Sequence, residues 1–326
     1  MASFLGGEMR RISFVIPCYK SEQTIASVVN EIRTVVECRV EFEYEIIMVV
    51  DSSPDGVYQV VQRLCLDDPK LSGVELSKNF GQHSALLCGY ARATGDIVFS
   101  LDDDGQAPIE SIYAMIKAID DGADVAFADY SVKRQSVFRL VGSRVNDTMT
   151  CWLLGKPRGL KTNSFFAARR YVISEIVKYR NAYPYLPGLL LRVTRNIVNV
   201  RVDHRSRLSG SSGYTFTKLV RLWVNGFTAF SIKPLRVATW LGFLFAIAGF
   251  ALGVWVVVDK VFHPEIQAGY SSIMAALLFT GGILMLMLGL VGEYVGRIYL
   301  CINSAPQYVI RRSTRPEDAA SGRSGA

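Results

Sequence analysis

Three consecutive carboxylates, Asp102, Asp103 and Asp104, follow a short apolar run of the chain. Adjacent carboxylates repel one another at neutral pH, so a bound cation that neutralises them would explain their placement. In an extended backbone Asp102 and Asp104 point to the same side, where they offer oxygen ligands for Mg²⁺ or Mn²⁺. Such a site leaves coordination positions open for a diphosphate. The simpler alternative is an acidic turn that caps a helix beginning near Pro108.

The carboxylates end a predicted strand in a region whose pattern is that of an α/β domain. Residues 11–129 alternate short β-branched runs with longer amphipathic segments, which is typical of a parallel sheet covered by helices. Ligands of such sheets bind at the carboxyl ends of the strands. Asp51 follows the second predicted strand, where it can accept a hydrogen bond from a base or ribose. The predicted strands are 12–16, 45–50, 73–76, 97–101 and 124–128, and the predicted helices are 22–37, 55–66, 82–93 and 108–120.

Two uncharged runs, 237–258 and 272–292, predict two transmembrane helices. At ~1.5 Å per residue each run is long enough to cross a hydrocarbon layer of ~30 Å. The alternative, two buried core helices, is disfavoured because core helices rarely lack charge over so many turns. An apolar stripe with basic neighbours at 216–227 predicts an amphipathic interface helix before the first span, although packing on the domain would give the same stripe.

The distribution of cations predicts how these spans are oriented. The loop between the spans contains Lys260 as its one cation, and the first eleven residues lack the apolar region of a signal peptide. We therefore expect the N-terminal domain and both termini to face the cytoplasm. Six scattered cysteines without paired spacing agree with a reducing compartment. The flanking cations are Lys218, Arg221, Lys233, Arg236, Arg297, Arg311 and Arg312.

The net charge of +7 is distributed asymmetrically along the chain. Residues 1–132 carry 10 basic and 21 acidic side chains, whereas residues 133–236 carry 20 basic and 3 acidic ones. A basic block beside a membrane span indicates anionic headgroups or a phosphorylated lipid as its neighbour. Nucleic acid is the rival interpretation of a basic patch, and proximity to the bilayer disfavours it.

Several short motifs, taken in order, resemble family 2 glycosyltransferases of the GT-A fold, in the branch that acts on polyprenyl phosphates. This branch includes dolichol-phosphate-mannose synthases, bactoprenol glucosyltransferases and aminoarabinose-type undecaprenyl-phosphate transferases. The opening VIPCYK at 15–20 and a D-x-D motif at Asp102 and Asp104 followed by Gln106 are similar to the family pattern. The runs NFGQHSA at 79–85 and GLVGEYVGRIY at 289–299 resemble the aminoarabinose-type group. The resemblance covers residues 11–312.

This resemblance implies a function and a set of site residues. It implies an α/β, GT-A Rossmann-like catalytic domain that moves a sugar from a nucleotide donor, with a UDP-sugar expected, to polyprenyl phosphate in cell-envelope glycan synthesis. It also implies a homo-oligomer. Asp102 and Asp104 would hold Mg²⁺ or Mn²⁺, with Arg207 as a further catalytic group. The implied donor-binding residues are Pro17, Tyr19, Glu22, Asp51, Lys78, Gln82, Asp103 and Gln106, and the implied acceptor-phosphate residues are Arg139, Ser143, Arg205 and Ser212.

The sequence departs from the family pattern at positions that bear on the mechanism. Ser164 and Phe166 stand where several relatives carry Asp and Arg, so the resemblance assigns no carboxylate base. A phosphate monoester has a second pKa of ~6 and is largely dianionic at neutral pH. The hypothesis is therefore that the lipid phosphate attacks the anomeric carbon directly, with inversion. Two alternatives are transfer to a lipid-linked oligosaccharide or polysaccharide, and a degenerate relative that scaffolds a membrane complex.

These observations predict a linear division of the chain. An N-terminal extension at 1–10 precedes the nucleotide-sugar-binding core at 11–132. A basic acceptor-side and juxtamembrane segment follows at 133–236, then a transmembrane hairpin at 237–296 and a cytoplasmic tail at 297–326. The tail from Ser313 onward is expected to be disordered, because it is rich in Ser, Gly and charge. The sugar, the nucleotide and the carrier length are not specified by these patterns.

Overall fold

The computed structural model describes residues 9–130, 151, 155–181, 184–203, 233–262, 270–302 and 306–315. The chain divides into two compact units, Met1–Lys218 with Ser304–Ala326, and Leu219–Asn303. The division expected near residue 132 falls inside the first unit. The reason is that strands from both sides of that position pair in one sheet. The amphipathic interface helix expected at 216–227 lies outside the described residues.

The alternation of strands and helices predicted for residues 11–129 is present, with bounds that differ by a few residues. Helix α1 buries Ile25, Val29 and Ile32 on one face, as its apolar spacing predicts. The strands are β1 (Arg10–Cys18), β2 (Phe42–Val50), β3 (Leu71–Leu76), β4 (Ile97–Ser100) and β5 (Val125–Tyr130). The helices are α1 (Ile25–Glu37), α2 (Val57–Asp67), α3 (Gln82–Tyr90) and α4 (Ile112–Asp120), and a 3-10 turn (Ile109–Ser111) precedes α4.

Further elements of the first unit were not predicted from the sequence. The basic segment contributes β6 (Phe166–Arg169), α5 (Arg170–Val177), α6 (Leu186–Val193) and β7 (Ile197–Val202). The tail contributes β8 (Ile310–Ser313), so the expectation of disorder from Ser313 onward is wrong for the residues described there.

One mixed sheet of eight strands organises the unit, in the order β7-β5-β6-β4-β1-β2-β3-β8. The neighbours β4-β1-β2-β3 are parallel, as are β5 and β7, whereas β6 and β8 run antiparallel to the strands beside them. This is an α/β Rossmann-like fold. Because β1, β2 and β4 run in one direction, the loops that follow them meet at one edge of the sheet.

The second unit contains two long helices, α7 (Lys233–Phe262) and α8 (Tyr270–Ile302), of 30 and 33 residues. Among the described residues, one stretch, Phe279–Gly296, is long and apolar enough to cross a membrane, with a mean hydropathy of 1.5. The apolar stretch of α7, Ala238–Ala251, is shorter than that criterion. The structure therefore provides one spanning candidate by length and composition, where the sequence predicts two.

Large apolar side chains are exposed on both helices. Trp240 in α7 is 71% exposed and Met285 in α8 is 73% exposed. The rings of Phe245 and Phe279 meet edge to face with centroids 5.7 Å apart, so α7 and α8 contact each other. Apolar side chains exposed along whole helices mark a surface that is covered by lipid or protein.

Candidate active site

A cavity of about 130 Å³ opens where β4 ends. A volume of that size corresponds to about four waters at ~30 Å³ each, which is room for a cation with some of its waters. Asp102 and Asp104 both line it, as the spacing of the D-x-D motif predicts. The lining residues are Asp102, Asp104, Gln106, Ala107, Tyr130, Ser164 and Phe165.

The side chain of Asp102 is held from two directions. Gln82, the first residue of α3, donates from Nε2 to Asp102 Oδ1 over 2.7 Å. Ser164 donates from its hydroxyl to Asp102 Oδ2. Burial and the negative charges of Asp104 and Asp103 raise the pKa of Asp102, the hydrogen bonds from Ser164 and Gln82 oppose that rise, and the net result is a pKa of about 6. A cation in the cavity would offset that repulsion.

Asp104 and Gln106 form the other wall of the cavity. The backbone N–H of Gln106 donates to Asp104 Oδ1 over 3.0 Å, which fixes the turn after β4. Both residues are half-buried and line the cavity directly.

Asp103, the middle carboxylate, ties two loops together. Its Oδ2 accepts a hydrogen bond from the backbone N–H of Tyr19 over 2.9 Å. Its carbonyl oxygen accepts from Thr24 Oγ1 over 2.6 Å. Burial raises the pKa of Asp103 above its ordinary value, and the Tyr19 bond acts against that rise. In this structure Asp103 joins the loop after β4 to the loop after β1.

Asp51 is buried at the end of β2 and orders the loop before α3. Its two oxygens accept from the backbone N–H groups of Phe80 and Gly81, each over 2.7 Å. Burial raises the pKa of Asp51, and these two hydrogen bonds oppose the rise. Each carboxylate oxygen has a second lone pair, which can accept a hydrogen bond from a base or ribose. The neighbouring Lys78 is exposed, with Nζ 5.0 Å from the ring centre of Phe80.

Glu22 and Asp55 connect the loops that follow β1 and β2. Glu22 Oε2 accepts from the backbone N–H of Gly56 over 2.9 Å, and the backbone N–H of Glu22 donates to Asp55 Oδ2 over 3.0 Å. This reciprocal pair satisfies a backbone donor at the start of α2. Among the described residues Glu22 is therefore engaged within the protein and is not part of the cavity lining.

The other donor-binding candidates lie near the same edge of the sheet. Pro17 is buried in β1 opposite Val49 of β2. Tyr19 is 45% exposed just after β1. The candidates Arg139, Ser143, Arg205, Arg207 and Ser212 lie outside the described residues.

The side chains present fit a divalent cation that also binds a diphosphate. No group of three or more His, Cys, Asp or Glu side chains is placed for a metal within the part of the chain that the structure describes. Two carboxylates, Asp102 and Asp104, do converge on the cavity. Mg²⁺ is commonly held in this way, by one or two carboxylates together with waters and substrate phosphates.

Two cavity residues were not among the predicted site residues. Tyr130 ends β5, and burial together with the charges of Asp102 and Asp104 raises its pKa to about 12. Ser164 precedes β6 and was noted in the sequence only as a departure from the family pattern. The departure itself was the available signal, since Ser164 stands where the resemblance leads one to expect a charged residue.

Comparisons with known proteins give the family of this chain. Residues 13–187 match the family Glycosyl transferase family 2, and residues 233–298 match the GtrB C-terminal hairpin. The chain is 31% identical over 309 residues to an undecaprenyl-phosphate 4-deoxy-4-formamido-L-arabinose transferase of Proteus mirabilis, covering 94% of each protein.

Solved structures with a similar fold include a glucosyl-3-phosphoglycerate synthase of M. tuberculosis. It is 18% identical with a TM-score of 0.47, covering 64% of this chain and 75% of that one. The same enzyme in complex with Mn²⁺, UDP-glucose and phosphoglyceric acid matches with a TM-score of 0.45 at 18% identity, over 62% of this chain and 73% of that one.

Proposed function

This chain belongs to glycosyl transferase family 2, and we propose that it transfers a sugar from a nucleotide diphosphate to undecaprenyl phosphate or a similar polyprenyl phosphate. The observation that carries this proposal is that Asp102 and Asp104 share one cavity in a chain that resembles such a transferase along 94% of its length. The product would be a lipid-linked monosaccharide for the synthesis or modification of cell-envelope glycans. A UDP-sugar is the proposed donor.

The residues around the cavity can bind and orient the donor. Asp102 and Asp104 would hold Mg²⁺ or Mn²⁺ with the donor's phosphates, and Gln106 would contact the same phosphates. When bound, the divalent ion neutralises charge on the departing diphosphate. Asp51 shapes the loop at 77–81 through the amides of Phe80 and Gly81. Orientation by these groups reduces the entropic part of the barrier.

The acceptor phosphate needs little help from a base. A phosphate oxygen forms the bond to the anomeric carbon while the bond from that carbon to the donor's β-phosphate oxygen breaks. The electron pair of the broken bond leaves with the nucleotide diphosphate. A phosphate monoester is already largely dianionic at neutral pH, with a second pKa of ~6. Ser164, which lines the cavity, donates a hydrogen bond from its hydroxyl to Asp102.

We also propose that α7 and α8 both cross the inner membrane, with the catalytic unit and both termini in the cytoplasm. Exposed apolar side chains on both helices and the cations that flank them support this topology. Alkaline phosphatase fused within 263–269 should be active, and the same enzyme fused after residue 326 should be inactive. Activity of the second fusion would overturn the topology.

A homo-oligomer is proposed too, to be tested by light scattering in detergent.

Transfer is tested with the full-length protein in detergent. A thermal-shift screen of UDP, GDP, CDP and their sugars with Mn²⁺ identifies the donor nucleotide. The radiolabelled donor is then incubated with undecaprenyl phosphate, and an acid-labile lipid monosaccharide is expected. Asp104→Asn or chelation of the metal should abolish the product, whereas Asp67→Asn, on the exposed end of α2, should not.

Other products separate the alternatives. Label found only in a lipid-linked oligosaccharide or polymer would replace the proposed acceptor. Absence of both nucleotide binding and sugar-nucleotide hydrolysis would favour a scaffolding protein. Full activity after both Asp104→Asn and chelation would refute the proposed role of the cation.

A further inference from the structure

Ser164 is placed opposite Asp102 by the register of two strands. Strand β6 runs antiparallel to β4, and the last pair of that ladder is Ser100 with Phe166. Continuing the register two residues beyond that pair brings Ser164 opposite Asp102. Side chains directly opposite on antiparallel strands have Cβ atoms ~5 Å apart, within reach of a hydroxyl-to-carboxylate hydrogen bond. The structure contains that bond, from Ser164 Oγ to Asp102 Oδ2.

The backbone that carries Ser164 is fixed from its other side by β5. The backbone N–H of Ala128 donates to the carbonyl of Phe165 over 3.0 Å. The side chain of Asn163 donates from Nδ2 to the carbonyl of Ala128. Both residues that flank Ser164 are thus hydrogen-bonded to Ala128 of β5, which fixes the backbone position of Ser164.

Asp102 accepts a second hydrogen bond, which comes from Gln82. Gln82 donates to Oδ1, while Ser164 donates to Oδ2, so each oxygen of the carboxylate has its own protein donor. The orientation of Gln82 depends in turn on Asp51, which binds the N–H of the preceding residue, Gly81. Gly81 has φ 90°, a conformation that favours glycine at this turn. A carboxylate bonded at both oxygens cannot rotate freely about its last torsion.

We propose that Ser164 is a positioning residue that orients the Asp102 carboxylate for the divalent cation. This inference rests on the proposed function and deepens it by assigning a role to the residue that replaces a relative's carboxylate. A hydroxyl donates a hydrogen bond without adding a third negative charge beside Asp102 and Asp104. Each oxygen of Asp102 keeps a lone pair for the cation. Groups that orient metal ligands typically change metal affinity by ~10-fold or more when removed.

The test measures metal binding directly, without turnover. Full-length protein in detergent is titrated with Mn²⁺ in the presence of UDP, and free Mn²⁺ is measured by electron paramagnetic resonance. Ser164→Ala should weaken Mn²⁺ binding by ~10-fold. Ser164→Cys, which keeps the size of the side chain but is a poor donor, should weaken it similarly. Ser164→Thr, which keeps the hydroxyl, should bind within about threefold of the wild type, the scatter expected of context effects.

A matched control is the serine on α5. Ser174 bonds from its hydroxyl to the carbonyl of Arg170 over 3.0 Å and is exposed. Ser174→Ala makes the same chemical change outside the cavity and should leave Mn²⁺ binding unchanged. The melting temperature of each variant reports whether the fold is kept. If Ser164→Ala does not fold, Ser164→Cys alone tests the loss of the hydroxyl donor.

The outcomes separate this inference from the proposed function. Wild-type affinity in folded Ser164→Ala and Ser164→Cys would overturn the positioning role while the transferase remains supported. Equal loss in the Ala, Cys and Thr variants would overturn it too, because shape and not the hydroxyl would then be the cause. Wild-type protein that transfers sugar but binds no Mn²⁺ with UDP would overturn the role of the cation and, with it, this inference.

Discussion

Arg312 of β8 donates from Nε to the carboxylate of Glu75 in β3 over 2.7 Å. The two residues are direct partners in the antiparallel ladder between these strands. Glu75 is buried, whereas half of the Arg312 side chain is exposed. The guanidinium also lies over the ring of Tyr58, 5.0 Å from its centre. One arginine near the C-terminus thus joins the last strand to the sheet edge and to α2.

Replacing Arg312 by alanine should destabilise the catalytic unit. The change removes a partner from a buried carboxylate, and an unsatisfied buried group costs ~1–3 kcal/mol. Partial exposure of the arginine reduces that value, so we expect ~1 kcal/mol. For a unit of this size the melting temperature should fall by ~2–4 °C, measured by thermal unfolding in detergent. Arg311, 3.8 Å from Glu75 and more exposed, is the matched control and should matter less. Equal effects of the two alanine variants would contradict the assignment.

Glu45, buried in β2, should make stability depend on pH. Burial raises its pKa, but hydrogen bonds from Ser13 and Thr94 and the charge of Arg11 lower it more, so the pKa lies below its ordinary value. A carboxyl group with a depressed folded pKa stabilises the fold above its unfolded pKa of ~4.3. That stabilisation is lost as the pH falls through the folded pKa.

The change Glu45→Gln isolates the charge of this group. The variant should be less stable than the wild type at neutral pH by ~1 kcal/mol, because the attraction to Arg11 is lost. The difference should shrink below a pH of ~4, where the wild-type carboxyl begins to protonate. Thermal unfolding at a series of pH values measures both quantities. A difference that stays constant down to the acid limit would assign the effect to packing instead.

Asp51 should affect nucleotide binding through the loop that it orders. In Asp51→Asn the side-chain NH₂ replaces one carboxylate oxygen and faces the backbone N–H of either Phe80 or Gly81. An NH₂ group cannot accept from that N–H, so one of the two hydrogen bonds is lost. We expect the nucleotide identified by the thermal-shift screen to bind ~5–30-fold more weakly, which corresponds to a loss of ~1–2 kcal/mol of binding free energy. Calorimetric titration measures this affinity, with Asp67→Asn as the control. Unchanged binding would mean that the loop keeps its conformation without Asp51.

The pair formed by Glu22 and Gly56 can be tested with a double-mutant cycle. A Cβ added at Gly56 would lie 2.8 Å from Glu22 Oε1, so Gly56→Ala should displace the carboxylate. This change should lower the free energy of unfolding by ~1 kcal/mol. In a Glu22→Ala background the same substitution should cost little, since the obstructing group is gone. Melting temperatures of the four proteins give the coupling. Additive effects would show that the contact carries no energy.

The strands and helices of residues 11–129 could be predicted because short β-branched runs alternate there with longer segments, some of them clearly amphipathic, such as α1. Asp102 and Asp104 were placed at the edge of the sheet by the same reasoning, since they follow a strand in a parallel α/β pattern. The cavity confirms that they converge. Local pattern and strand direction therefore sufficed for this half of the site.

The partner of Asp102 could not be predicted in this way. Strand β6 has four residues and follows a basic segment, so neither its length nor its period marks it in the sequence. Its place between β4 and β5 is a long-range pairing, and the contact of Ser164 with Asp102 follows only from that pairing. The same holds for β8, which lies far along the chain from β3.

The edge position of β8 bears on how this enzyme can be produced for study. A fragment that ends before α7 would contain β3 but lack its antiparallel neighbour β8. Residues 71–76 would then present unpaired amides and carbonyls, a template for pairing with other chains. A soluble catalytic fragment should therefore carry residues 306–315 on a short linker, and fragments without them are expected to aggregate during expression.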